Sequence, residues 1–245
     1  MPRLTPRFVR RALLPASFLV FLAGMLASAA IFYTGKAFDP KQAVLSDLQS
    51  PDENPRGYGP SAACTAISAV LLAPAVALFY RRLRKESPIL SLAGAVMFAV
   101  GLACAVAVGI LAPFTHGYTP LHVQLASAAF VGVSAGTLLH LLAAKAARLL
   151  LAVQFGILLV LIFLCYGPVN FDNSRLLTSL AFSEWMLCVD CAVALWMLAC
   201  GIEAEGRPGD RPFEKITMQR PISASLPASA ANPPSPARNT PGSQR

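Results

Sequence analysis

Long apolar runs without a single charge, separated by polar connections, constrain this chain more than anything else in it. The runs cover about residues 12–33, 60–80, 89–111, 123–142, 149–166 and 180–201, and the first five hold no Asp, Glu, Lys or Arg. A hydrocarbon core roughly 30 Å thick is crossed by about 20 apolar helical residues. Strands of a β-barrel are excluded, because the runs are about twice too long and do not alternate. Composition agrees, with 56% of residues hydrophobic, 13% charged and a mean hydropathy of +0.59. The pattern predicts an all-α integral membrane bundle of six transmembrane helices.

Charge sets the expected orientation. Arg3, Arg7, Arg10 and Arg11 precede the first run, Arg81, Arg82, Arg84 and Lys85 follow the second, and Lys145 and Arg148 follow the fourth. The loop at 34–59 sets Lys36, Lys41 and Arg56 against Asp39, Asp47, Asp52 and Glu53, and the remaining two connections hold no Lys or Arg besides Arg175. Cytoplasmic connections are the ones enriched in Lys and Arg. Both termini are therefore expected in the cytoplasm, with residues 1–11 a basic cytoplasmic N-terminus and 12–201 the membrane domain. A bacterial inner membrane is the expected location. The net charge of +8 then reports topology. It does not point to nucleic acid, whose binders gather basic residues on one soluble face.

Arg10-Arg11 before an apolar stretch and Ala27-Ser28-Ala29 resemble a secretory leader and its cleavage site. Cleavage would break the alternation of charged loops, so the first run is expected to stay as an anchor. Residues 202–245 are rich in Pro, Ser, Ala and Arg, ending near Asn232-Pro-Pro-Ser-Pro. Such a segment cannot bury enough apolar surface to offset its ordering entropy, and is expected to be a disordered cytoplasmic tail. The cysteines (Cys64, Cys104, Cys165, Cys188, Cys191 and Cys200) all fall inside apolar runs, where a thiol behaves as a small hydrophobe. The Cys188-x-x-Cys191 pair lies mid-helix without a second pair, so no metal and no cofactor are expected.

Small residues predict close helix packing. Ala128, Gly132 and Gly136 recur every four residues in the fourth run, and Gly101, Ala105 and Gly109 do so in the third. Such strips let backbones approach closely in lipid. They are expected to join these two spans within the bundle, or to form a homo-oligomer seam. Pro74 is expected to bend the second span.

Polar groups that lipid makes costly are the candidates for function. Asp190 lies mid-span, where an ionised carboxylate costs about 2.5–3.5 kcal/mol on insertion scales. It can be a hydrogen-bonded neutral acid, a proton-coupling group or part of a ligand cavity. Nearer the outer face stand Glu184, His122 with Gln124 just inside, His116 and Tyr118, together with the loop acids Asp47, Asp52 and Glu53. A histidine with carboxylates can perform acid–base work or hold a metal. No two candidates share a helix at metal-ligand spacing, so a structural tie is the simpler expectation.

The outer loop reads Leu45-Ser46-Asp47-Leu48-Gln49-Ser50-Pro51-Asp52-Glu53-Asn54-Pro55-Arg56-Gly57-Tyr58. This resembles the S-D-L-G…N-P signature that follows the first span in the family named domain of unknown function 998, six-span prokaryotic membrane proteins. His122, followed by Ala126 and Phe130, and Glu184 are similar to that family's His and Glu positions. Gln49 stands where the family has glycine. The likeness covers about residues 12–201, with a more distant one to the DRAM and Sfk groups, and it implies architecture and site location without a reaction.

The loop is expected to be a lid, with Ser46, Asp47, Asn54, Tyr58, His122 and Glu184 lining a polar pocket beneath it. That pocket would take a lipid or a small solute, with Asp190 as an intramembrane acid. The alternatives are a membrane-embedded enzyme acting on a lipid-borne bond, whose candidates are His122, Glu184 and Asp47, and a plain scaffold. No P-loop, G-x-S-x-G or H-E-x-x-H is present. Transport predicts a cavity reaching Asp190; catalysis predicts a shallow outer pocket at His122.

Overall fold

The structure is a computed structural model that describes residues 5–205 apart from 38, 40, 42–43, 115–118, 145–148 and 167–174. The expectations placed on Arg3, His116, Tyr118, Lys145, Arg148 and the tail beyond residue 205 fall outside the described residues. Those that are described form helices and no strands. A short α1 (Pro6–Phe8), capped by the Thr5 hydroxyl, runs through a π-helical turn at Val9–Leu13 into α2 (Leu14–Phe32). Then come α3 (Leu45–Gln49), α4 (Tyr58–Leu83), α5 (Pro88–Leu111), α6 (Thr119–Ala143), α7 (Leu149–Tyr166) and α8 (Leu180–Glu205). Among the described residues five helices are long and apolar enough to cross a membrane: Pro6–Phe32, Tyr58–Leu83, Pro88–Phe114, Pro120–Ala143 and Leu180–Ile202. The apolar α7 is shorter, at 18 residues. The chain is thus an α-helical, multi-pass membrane protein.

The long helices alternate in direction. Ser91 Oγ donates to the Tyr80 carbonyl, joining the start of α5 to the end of α4, and Arg10 donates to Cys200 Sγ, setting the end of α8 beside the chain's beginning. At the other end, α3 packs against α2, α4 and α8. Pro74 lies inside α4, and the helix runs through it without a break.

Small residues form the seams. Where α2 meets α4, Ser17 Oγ lies 2.8 Å from Ser68 Oγ, and a side chain on Gly24 would collide with Cys64 and the Pro60 carbonyl. One turn further, Ser28 Oγ accepts the Ser61 amide at 2.9 Å, an orphan donor of the first turn of α4. Where α5 meets α6, Gly101 lies on Gly132, Gly136 on Phe98, and Gly94 on His140. Gly109 behaves otherwise: a side chain there would strike the Ala62 carbonyl of α4 at 2.3 Å. The third-span strip therefore serves two neighbours and not one. Steps of four residues drift about 40° round a helix, so Gly101 and Gly109 face about 80° apart.

Candidate functional site

Short-range chemistry shapes the loop between α2 and α4. Leu45 and Leu48 are fully buried, with Gln49 and Ser50 nearly so. With inward residues at three- and four-residue spacing, one turn of helix forms, and Asp47 stands at its third position. There its carboxylate faces the Val44 amide, the reach-back half of a capping box. Pro51 ends the turn, because the residue before a proline avoids helical geometry and Ser50 is extended at ψ 126°.

Four helices hold this turn down. From α8, Glu184 Oε2 accepts the Leu45 amide at 2.8 Å. From α6, His122 Nε2 meets the Ser46 carbonyl at 3.2 Å. A carbonyl only accepts, so Nε2 is the donor in this contact. Nδ1 is buried, with no partner among the described residues. From α4, Ser61 Oγ donates to the Leu48 carbonyl at 2.7 Å, and Gln49 Nε2 donates back to Thr65 Oγ1 at 3.0 Å. Asn54 Nδ2 closes the loop by reaching the carbonyls of Ser28, on α2, and Leu48.

Of the expected pocket residues, Ser46, His122 and Glu184 thus meet at the first turn of α3, with Asp47 beside Glu184. Asn54 serves the loop itself, and Tyr58 opens α4. The hydrogen bonds of Glu184, His122 and Asn54 are ties that fasten a lid.

Burial, then the nearby Glu53 charge, pushes the Asp47 carboxyl from its ordinary value up to about 6, against the opposing pull of the Val44 amide. A raised folded-state value means that the folded lid favours the protonated acid. Its contribution to stability is fully present below about pH 4 and is lost as pH rises through about 6. Amides of residues 44–54 should therefore exchange faster at pH 7.5 than at pH 5, after correction for intrinsic rates, and Asp47→Asn should reduce that difference. An equal difference in the variant would assign it to other groups, Glu184 first among them.

Beneath the lid lies a cavity of about 370 Å³ walled by α2, α4, α5, α6 and α8. Its lining is almost wholly apolar: Leu14, Phe18 and Phe21 on α2, Leu72 on α4, Leu102 and Ala105 on α5, Ala129 and Phe130 on α6, Leu187 and Trp196 on α8. The few polar groups are Gln49 and Thr65 at the lid end, the Ser17–Ser68 pair, and Ser134 with Cys188 and Cys191. None of the six residues expected to line a polar pocket lines this cavity. They stand above it, with the polar atoms of Asp47, Asn54, His122 and Glu184 turned to the backbone of the loop and its neighbours. The exposed residues of the cavity lining, Val189, Val193 and Trp196, all lie on α8, so the cavity opens along that helix. Cys188, Ala192 and Trp196 carry the lining along α8, and Trp196 is 48% exposed.

Asp190 faces the other way. Gln154 of α7 donates to both its carboxylate and its backbone carbonyl, and Asp190 is not in the cavity wall. The cavity that proton-coupled transport required at Asp190 does not reach it. The carboxylate instead pins α7 to α8, as a buried charge or acid must find a polar partner. Sequence reasoning passed over Gln154, although a buried amide in an apolar run signals such a partner. It noted Gln49 only as a departure from glycine and passed over Thr65, although their contact closes the outer end of the cavity. Among the described residues, no cluster of three His, Cys, Asp or Glu side chains could hold a metal ion. No family model, curated protein or solved structure matches the chain.

Proposed function

We propose that this chain is a six-span protein of a bacterial inner membrane, termini in the cytoplasm, that binds an apolar chain or small apolar solute in its side-open cavity. The cavity carries this reading. Its volume falls in the range of ligand pockets, about 300–1,000 Å³, and water gains little in an apolar space with few polar partners. α7 supplies the sixth span, and Arg7, Arg10 and Arg11 share an end of the bundle with Arg81, Arg82, Arg84 and Lys85, the end a positive-inside topology places in the cytoplasm. The acids Asp39, Asp47, Asp52 and Glu53 belong to the loop at the other end. The resemblance to the six-span family is part of the same proposal, since the residues that carry it (Ser46-Asp47-Leu48, Asn54, His122 and Glu184) make up one fastened lid.

Binding is favoured over catalysis because Glu184 and His122 each use a reactive atom on the loop backbone. Filling the cavity tests the reading. The double change Ala129→Leu with Ala192→Leu, on the α6 and α8 walls, should displace at least two methylenes of a bound chain. At about 0.8 kcal/mol each this weakens binding about tenfold. The check is a titration of the purified protein with a fluorescent long-chain fatty acid, read by energy transfer from tryptophan. Unchanged affinity would reject the cavity as the binding site.

A further inference from the structure

We propose that the cavity's occupant is one acyl chain of an anionic phospholipid, whose phosphate rests on Arg10 and Arg11 at the inner end of the opening along α8; this rests on the binding function proposed above. The π-helical turn at Val9–Leu13 presents Arg10 and Arg11 immediately before Leu14 and Pro15, the first cavity residues of α2. At 1.5 Å per residue, the two charges begin about 5–6 Å along the axis from that end of the cavity. Arg10 reaches across to α8, its Nη1 donating to Cys200 Sγ at 3.6 Å. Cys200 stands one turn beyond Trp196, which lines the opening. A guanidinium group from the turn before α2 thus reaches α8 just where the apolar lining stops.

The chemistry of an occupant follows from this order of surfaces. A long apolar space entered from the side suits a hydrocarbon chain, and a cationic rim at one end suits an anion joined to that chain. Guanidinium forks bind phosphate oxygens in pairs. A zwitterionic headgroup brings its own ammonium towards the same arginines and gains less. The rim lies at the end of the bundle that holds the N-terminus, so the lipid comes from that leaflet.

Trp196 makes the proposal measurable. The chain has two tryptophans, and Trp185 packs against the lid cluster, so Trp185→Phe leaves Trp196 as the reporter. The protein is placed in phosphatidylcholine vesicles, with brominated acyl chains carried on either phosphatidylglycerol or phosphatidylcholine, and quenching is followed against mole fraction. With about fivefold per arginine near a membrane surface, phosphatidylglycerol should quench at about five- to twenty-five-fold lower mole fraction. Arg10→Gln with Arg11→Gln should abolish that preference while both lipids still quench. Arg11→Gln alone, at an exposed position, should remove about fivefold and covers the case in which the double variant misfolds.

Equal quenching by the two headgroups, or a preference that survives the arginine changes, overturns the proposal. So does stronger competition by dibromostearic acid, which would make the occupant a free fatty acid. The cavity-filling pair Ala129→Leu and Ala192→Leu separates the two levels of the argument. If it lowers quenching while no headgroup preference exists, the cavity binds chains and the phosphate assignment fails. If it leaves quenching unchanged, bulk lipid alone reaches Trp196 and both proposals fall.

Discussion

Gly132→Leu is expected to be the most damaging single change in the membrane domain. A side-chain carbon at Gly132 would lie 2.6 Å from the Cα of Gly101 and 2.9 Å from the Met97 carbonyl. Both obstacles are backbone, so the helices themselves must move apart. Overpacking of this kind costs about 1–3 kcal/mol, and occasionally more. Gly132→Ala should fall in that range, and leucine should exceed it, since its further carbons have no space at all. Gly156→Ala and Gly201→Ala provide the contrast, because nothing lies within 4 Å of a side chain at either position. Both should be neutral or slightly stabilising, since glycine costs a helix about 0.5–1 kcal/mol relative to alanine. Thermal unfolding of the four variants in one detergent measures the difference. Equal losses across them would show that α5 and α6 do not depend on this contact.

Glu184→Ala is expected to release the lid. The change leaves the buried turn at Leu45 without the carboxylate that accepts its amide at 2.8 Å. An orphaned buried donor costs about 1–3 kcal/mol, which corresponds to about 5- to 150-fold faster exchange of the Leu45 and Ser46 amides. Glu184→Gln keeps a carbonyl acceptor at the same reach and should retain most of the protection. His122→Ala removes a single tie to the Ser46 carbonyl and should have a smaller effect. A loss of protection as large in Glu184→Gln as in Glu184→Ala would mean that the charge, and not the hydrogen bond, fastens the loop.

Much of the architecture was legible in residue order. An uncharged run such as Ile89–Leu111 has only one stable form in lipid, because its amides must bond within the segment. The structure places α5 at Pro88–Leu111, within one residue of that reading. Glycines at four-residue spacing also announced close backbone contact, since that spacing keeps them on neighbouring turns. Which helix each would meet was not legible. Gly101 and Gly109 look alike in the chain, yet one rests on α6 and the other on α4, a choice made by the arrangement of three helices.

The candidate site divides in the same way. Ser46, Asp47, His122 and Glu184 stand out because polar side chains near membrane-facing runs are costly. Their convergence on the turn at α3 was an expectation that helix ends alone could suggest. Their task depended on tertiary geometry, since a carboxylate can serve a substrate, a metal or a backbone amide with equal chemistry. Glu184 meets the Leu45 amide only because α8 and α3 begin side by side. Asp190 was conspicuous by its charge, but the amide of Gln154 that faces it lies 36 residues earlier.

Residue order alone determined that this chain is helical and crosses a membrane repeatedly, because hydrophobicity and charge act on each segment separately. The cavity had no sequence signal of any kind. Leu14, Phe18, Leu72, Ala129 and Trp196 read as ordinary core until five helices are seen to leave a space between them. An empty volume is a property of how surfaces meet, and no single segment contains it.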